Sequence, residues 1–199
     1  MSAHWSVTLT TQDACPEAVR FAEGFASFDA AWQACARGDW LLWWIGRTLT
    51  AGPMRAERRP LVRAMCGCVR LALPCVPVGE HRPLAAIEVA ERWAAGDDGV
   101  TRQQLLVAAA SAYDAYEAYE AYIKADDAAY AAVAASYAAS AVFAESSYSA
   151  ADASAAYAVT AVVRAFTLCA CADLVRAFTR GACADLVRAE FPHPPEMAS

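Results

Sequence analysis

The residues able to do chemistry are few and scattered. Three histidines, His4, His81 and His193, stand far apart in segments that read as loops or termini. His81 lies in Gly79-Glu80-His81-Arg82-Pro83, where charged neighbours could tune an imidazole as a base, although a solvated loop histidine is the plainer reading. Glu88, Glu91 and Arg92 have spacings that bring side chains together on a helix. No E-x-x-H accompanies them, so Glu88 with Arg92 reads as an ordinary intrahelical ion pair. The eight cysteines form no C-x-x-C, and the pairs Cys66/Cys68 and Cys169/Cys171 are two residues apart, which on a helix turns the thiols away from one another. Buried, reduced thiols are the expectation. With no nucleophile elbow, H-E-x-x-H, phosphate loop or dinucleotide fingerprint, the chain is assigned no catalytic residue, no metal ligand and no cofactor, and it reads as a non-enzyme.

Charge offers more. The net charge is −6, and the 16 basic residues are all arginine except Lys124. Between Ala108 and Ala158 there are seven acids and one base, a local −6, so the rest of the chain is neutral. A polyanion needs a basic footprint, which excludes nucleic acid as the expected ligand. Asp114, Glu117, Glu120, Asp126 and Asp127 are instead the candidate partner-binding residues: acid speeds encounter with a basic protein, and tyrosines at its edge supply anchors.

The elements that must carry these residues are helical. Alanine supplies much of the 58% hydrophobic content, and the glycines and prolines are few and clustered. The expected fold is all-α, an irregular multi-helix N-terminal bundle packed with a long Ala/Tyr-rich antiparallel helical hairpin. One domain covers 1–199, comprising short helices over 13–96, long alanine-rich helices over 101–190 and an irregular tail over 191–199.

The bundle is organised around Arg37-Gly38-Asp39-Trp40-Leu41-Leu42-Trp43-Trp44-Ile45-Gly46-Arg47. Trp40, Trp43, Trp44 and Arg47 fall on one helical face, so that face is almost entirely indole. Trp32, Trp40, Trp43, Trp44 and Trp93 are expected in the core. Gly38 is expected to end the helix bearing Trp32, and Asp39 to cap the next. Asp13 should cap a helix with Pro16 in its first turn and Gly24 at its end. Ser27 and Asp29 should open a helix through Arg37, and Thr50–Pro53 is a turn. Pro60 to Leu73 carries two adjacent apolar rows, the mark of a central helix with several neighbours, although Gly67 interrupts it. A loop over 74–82 leads to a helix from Pro83 through Trp93, closed by Gly96.

Thr101-x-x-Gln104 is a capping box. No glycine or proline follows until Gly181, and Leu105, Ala112, Tyr116, Tyr119, Ile123, Tyr130, Tyr137, Ala141 and Tyr148 share one stripe. One straight helix to Tyr148 would be roughly 70 Å long, against about 40 Å for a compact chain of this size. A reversal is therefore required, and Glu145-Ser146-Ser147-Tyr148-Ser149 is its expected place. The uncharged window Ala128 to Ala144 falls short of the roughly 20 strongly apolar residues of a membrane span. The start of the chain lacks the pattern of a secretion signal, and a reducing cytoplasm is expected. Near the end, Ala170–Ala177 recurs unchanged as Ala182–Ala189. Twelve residues turn a helix by about 120°, so the copies share a neighbour only if the chain bends, for which Gly181 is the expected place. Phe191-Pro192-His193-Pro194-Pro195 should lie irregularly on the surface.

Three stretches together carry a resemblance: Trp32-x-x-Cys35-x-Arg37-Gly38-Asp39-Trp40-Leu41-Leu42-Trp43; Gly79-Glu80-x-Arg82-Pro83-x-x-Ala86-Ile87-Glu88-x-Ala90-Glu91-x-Trp93-Ala94-x-Gly96; and the alanine-rich tract ending in Ala184-Asp185-Leu186-Val187-Arg188 and Phe191-Pro192. Over most of its length the chain resembles the type-five immunity proteins of bacterial and phage genomes. The additional copy at Ala170–Ala177 departs from that pattern. The resemblance implies an all-α protein that neutralises a cognate toxin by stoichiometric binding, with no catalytic or contact residues to carry over. The expected partner is a protein, with no nucleic acid and no membrane, and the chain itself a monomer or weak homo-oligomer. The alternative is a phage-encoded inhibitor that binds a host nuclease as an acidic nucleic-acid mimic. A small helical enzyme built on Glu80, His81 and Arg82 is a third possibility.

Overall fold

The computed structural model describes residues 4–48, 54–122, 126–141 and 172–195, with the backbone alone at 119–122, 126–130 and 172–178. Among these residues there is no strand. Nine α-helices follow in order: α1 (Val7–Thr11), α2 (Pro16–Glu23), α3 (Phe28–Ala34), α4 (Gly38–Thr48), α5 (Arg59–Arg70), α6 (Arg82–Ala94), α7 (Arg102–Tyr122), α8 (Asp126–Ser140) and α9 (Ala172–Glu190). Short 3-10 turns lie at Ala56–Arg58 and Leu73–Cys75.

Local chemistry sets most boundaries. Pro16, Pro60 and Pro83 occupy first turns, where a missing N–H leaves no bond unmade. Ser27 Oγ accepts from Ala30 N–H at 3.2 Å. Thr101 and Gln104 form the reciprocal box, with Gln104 N–H donating to Thr101 Oγ1 at 3.2 Å and Thr101 N–H to Gln104 Oε1 at 2.7 Å. Gly96, at φ +94°, lets Asp97 N–H reach back to Arg92 O at 3.0 Å and closes α6.

Two expected caps are corrected. Asp13 sits in the α1–α2 link at φ +60°, and the N-cap position of α2 is Cys15. Asp39 is the second residue of α4, inside its first turn and past the N-cap position, and Arg37 engages both of its oxygens, through Nε at 2.8 Å and Nη2 at 2.5 Å. That bond raises the Arg37 pKa above its ordinary value. Nor does Gly38 end α3, which stops at Ala34; the backbone N–H groups of Trp40 and Leu41 donate to Arg37 O as α4 begins. The Thr50–Pro53 turn lies outside the described residues.

Helix α5 is central, as its double apolar row requires: α4, α6, α8 and α9 all pack on it. It runs unbroken through Gly67, where a Cβ would meet Leu186 Cδ2 of α9 at 3.3 Å. That glycine is a slot for a neighbour's side chain and not an interruption. Alanine explains α8, which is buried on nearly every side from Ala131 to Ala139 between α5, α6 and α7. Small side chains let three neighbours approach at once. Just past its end, Ala141 O accepts from Nη1 of Arg58, which is wholly buried and whose pKa burial lowers.

The Ala/Tyr tract already reverses between Tyr122 and Asp126, while the expected place, Glu145–Ser149, lies outside the described residues. Helix α7 ends at Tyr122, α8 starts at Asp126, and the two pack antiparallel along their lengths. The stripe keeps its phase across this break, so periodicity could not locate it. Asp126 and Asp127 stand at the first two positions of α8, where negative charge suits a helix N-terminus. The second correction of this kind concerns Gly181: α9 passes through it without a break. Its second copy, Ala182–Ala189, buries Cys183, Ala184 and Val187 against α4 and α5. The tail folds back on α3, with Trp32 Nε1–H donating to Phe191 O at 3.2 Å and Gln33 Nε2–H to Pro192 O at 2.7 Å.

Candidate interaction surfaces

Helix α7 touches α6 and α8 along one side, through Leu105, Ala109, Ala112 and Ala115. At 100° per residue the opposite side carries Leu106, Val107, Ala110, Tyr113, Asp114 and Glu117 within a sector of about 120°. All are exposed, Leu106 at 41%, Val107 at 54% and Tyr113 at 42%. Tyr113 is steadied by Tyr116, ring centroids 5.4 Å apart. An apolar patch therefore lies beside two of the five expected acidic contacts. The side chains of Glu120, Asp126 and Asp127 lie outside the described residues. Sequence reasoning selected the acids and missed Leu106 and Val107. The signal was present, because Leu105-Leu106-Val107 puts three large apolar residues in succession and no single helix face can bury them all.

The tryptophans divide. Trp32, Trp44 and Trp93 are buried, whereas Trp40 and Trp43 are only half-buried and pack against the core from outside. This corrects the expectation of a uniformly buried indole face: Leu41, Leu42 and Ile45 take the inner side of α4. Trp40 and Trp43 instead form a partition. Inside it is an apolar hollow of about 50 Å³ walled by α1 to α4, with Trp5, Phe21, Phe28, Trp32 and Trp44 among its lining. Outside it is an open groove of about 290 Å³, bordered by Asp13, Cys15, Arg37 and Asp39. The Arg37 guanidinium lies 4.4 Å from the Trp40 ring centre, and that of Arg47 lies 5.4 Å from Trp43.

The groups that could do chemistry stay apart. His4 hydrogen-bonds Ser6 Oγ at 2.8 Å and Phe25 O at 3.1 Å. His193 lies 3.6 Å from Asp29, and His81 stands at the N-cap position of α6. Glu80 is engaged by Arg82, whose Nε reaches Oε1 at 2.9 Å. Glu91 pairs with Arg70 of α5 through two 2.6 Å bonds, and Arg92, expected to pair with Glu88, instead reaches Asp97 through Nε at 2.8 Å. Among the described residues no three His, Cys, Asp or Glu side chains come together as metal ligands. The six described cysteines are free thiols, with Cys35, Cys66, Cys68 and Cys183 buried; Cys169 and Cys171 lie outside the described residues. Burial pushes the Cys35 and Cys66 thiols above the usual range, and a hydrogen bond with Cys183, together with burial, does the same to Cys68. No described helix is long and apolar enough to cross a membrane. No protein-family model, no curated protein and no solved structure matches this chain.

Proposed function

We propose that the chain acts by holding another protein, as an immunity or antitoxin-like protein that neutralises a cognate toxin stoichiometrically in the cytoplasm. The observation that carries this reading is the outer face of α7, where Leu106, Val107 and Tyr113 stand in solvent beside Asp114 and Glu117. Large apolar side chains grouped on one exposed face mark a surface that another molecule covers. The flanking carboxylates select a basic partner, and they weigh against a second copy of this chain, which would set acid against acid. The resemblance to type-five immunity proteins supports the same class. The alternative, an acidic nucleic-acid mimic, accounts for the carboxylates and leaves Leu106 and Val107 unexplained.

The experiment is a titration with the purified product of the neighbouring toxin gene. A one-to-one complex is expected on size exclusion, and the triple variant Tyr113→Ala, Asp114→Lys, Glu117→Lys should bind at least tenfold more weakly with an unchanged melting temperature. Unchanged affinity would remove this face of α7 from the reading. Loss of binding in competition with duplex DNA, with a nuclease as partner, would move the reading to the mimic.

A further inference from the structure

The outer face of α7 has two sockets of the kind that a neighbouring helix fills. On a helix surface, residues i, i+3, i+4 and i+7 surround a depression that accepts one side chain from a partner helix. Gln103, Leu106, Val107 and Ala110 form one such ring, and Ala110, Tyr113, Asp114 and Glu117 form the next; all of these residues are exposed. Ala110 is the shared corner, and its single methyl leaves both depressions open. Their chemistry differs. The first has an aliphatic wall of Leu106 and Val107, whereas the second sets the Tyr113 ring beside two carboxylates. Among the described residues, neither Asp114 nor Glu117 is held in an ion pair. We propose that these sockets receive one helix of the basic partner, an apolar side chain in the first and an arginine in the second, seven residues apart in that helix.

This rests on the reading of that face as the covered one and adds what covers it. Spacing decides for a helix. The sockets repeat after seven residues, about 10.5 Å along α7 at roughly 1.5 Å per residue, which is the repeat of matched side chains on a second helix lying alongside. Side chains on one face of a strand recur about every 6.6–6.8 Å, so a strand seated in one socket misses the other. Charge decides what the second side chain is. A guanidinium lies flat on a phenol ring and offers several donors to the two carboxylates, whereas lysine brings a point charge without the planar stacking. A second copy of this chain fits poorly. Laid parallel it sets Asp114 and Glu117 against themselves, and laid antiparallel it puts them over Leu106 and Val107, where they lose water and gain no counter-charge. Gln103 and Glu117 close the apolar part after about two turns, so this contact is an anchor within a larger interface, and a lone helix binds weakly, on the order of millimolar.

The probes are two capped alanine–glutamine peptides of about 20 residues, long enough to hold a helix, each with one leucine and one arginine. In the first peptide these stand seven residues apart. In the second they stand five apart, which turns them about 140° from one another at unchanged composition and charge. Titrated into the full chain and followed by proton–nitrogen correlation spectra, the first is expected to move the amides of Gln103 to Glu117 saturably and to bind at least threefold tighter than the second. Ala110→Gln keeps a good helix former and the net charge while filling both sockets, and it should remove that preference with the melting temperature unchanged. No saturable shift, equal binding of the two peptides, or a preference that survives Ala110→Gln overturns the helix and leaves the toxin reading to its own titration. A preference for the first peptide, beside toxin affinity that the charge reversals leave unchanged, supports the sockets and sinks the toxin reading alone. A dimer of the chain that Ala110→Gln dissociates gives the face to a second copy and overturns the proposal.

Discussion

Cys183 lies where Gly38 leaves room for it: a Cβ at Gly38 would stand 2.6 Å from Cys183 Cβ and 2.8 Å from Ala184 N. Helices α4 and α9 therefore cross almost backbone to backbone, and α4 must begin with a residue that has no side chain. Gly38→Ala should destabilise at the upper end of the roughly 1–3 kcal/mol range of overpacking, because backbone atoms cannot swing aside. Gly67→Ala should be much milder, since the obstruction there is the tip of Leu186 at 3.3 Å. Gly181→Ala meets nothing within 4 Å in mid-helix and should stabilise by about 0.5–1 kcal/mol. Urea titrations of the three variants check the order.

Burial ranks the tryptophans. Trp32 is 1% exposed and also donates to Phe191 O, so Trp32→Ala should cost about 3–5 kcal/mol and free the tail from α3. Trp43→Ala removes a half-buried ring whose outer side already meets water, and about half that cost is expected. Thermal melts of the two variants would contradict the partition if Trp43→Ala were the worse.

The fold was legible where short-range chemistry decides. Thr101 with Gln104, Ser27, Gly96 and the first-turn prolines all act as their positions imply, and the two apolar rows of α5 place it centrally. What sequence could not reveal was long-range. Gly38 and Asp39 looked like a stop and a cap because that pair often is one. Their actual roles depend on Cys183, far along the chain, and on the guanidinium of Arg37. The reversal after Tyr122 left no trace in the stripe, whose spacing runs on in phase from Tyr116 to Tyr137 across the break between α7 and α8. At the candidate surface the carboxylates were readable as charge, while the exposure of Leu106 and Val107 follows from which side of α7 meets α6 and α8.

Thiol reactivity should follow burial. Cys15 is exposed, whereas Cys35, Cys66 and Cys68 are enclosed with raised pKa values that keep them as inert thiols at neutral pH. An alkylating agent read out by peptide mass spectrometry should label Cys15 in native protein at least tenfold faster than those three, and the gap should close in denaturant. Early labelling at Cys66 would show that α5 opens more readily than its packing implies.

Acid should act on the end of α6. Asp97 accepts from Arg92 Nε at 2.8 Å and from Gly99 N–H at 2.9 Å, and these bonds hold its pKa below the ordinary value. The folded state thus binds this proton less readily than the unfolded one. The contribution is present above the unfolded pKa and fades as pH falls through the folded pKa. Because the pair is exposed, the effect is small, and Asp97→Asn should flatten the acid limb of the stability profile slightly while leaving neutral-pH structure intact.

Arg188 provides the sharpest test of how the last helix holds the first ones. Its Nη1 donates to Cys35 O at 2.6 Å and Trp32 O at 3.4 Å, while Nη2 is steadied by Asp185 at 2.7 Å. Those carbonyls end α3, where a helix carries partial negative charge that a guanidinium meets; Trp32 O also accepts from the Cys35 N–H at 3.4 Å, while Cys35 O lies past the last turn. Arg188→Met keeps the packing stem and removes the donors, and it should cost about 1–3 kcal/mol. The loss should be local before it is global. Because Trp32 and Cys35 also line the hollow, amide exchange should accelerate first across Phe28–Ala34, with α5 still protected. Exchange that rose equally in α3 and α5 would mean that Arg188 supports the whole fold, and that the tryptophan end has no independence from the core.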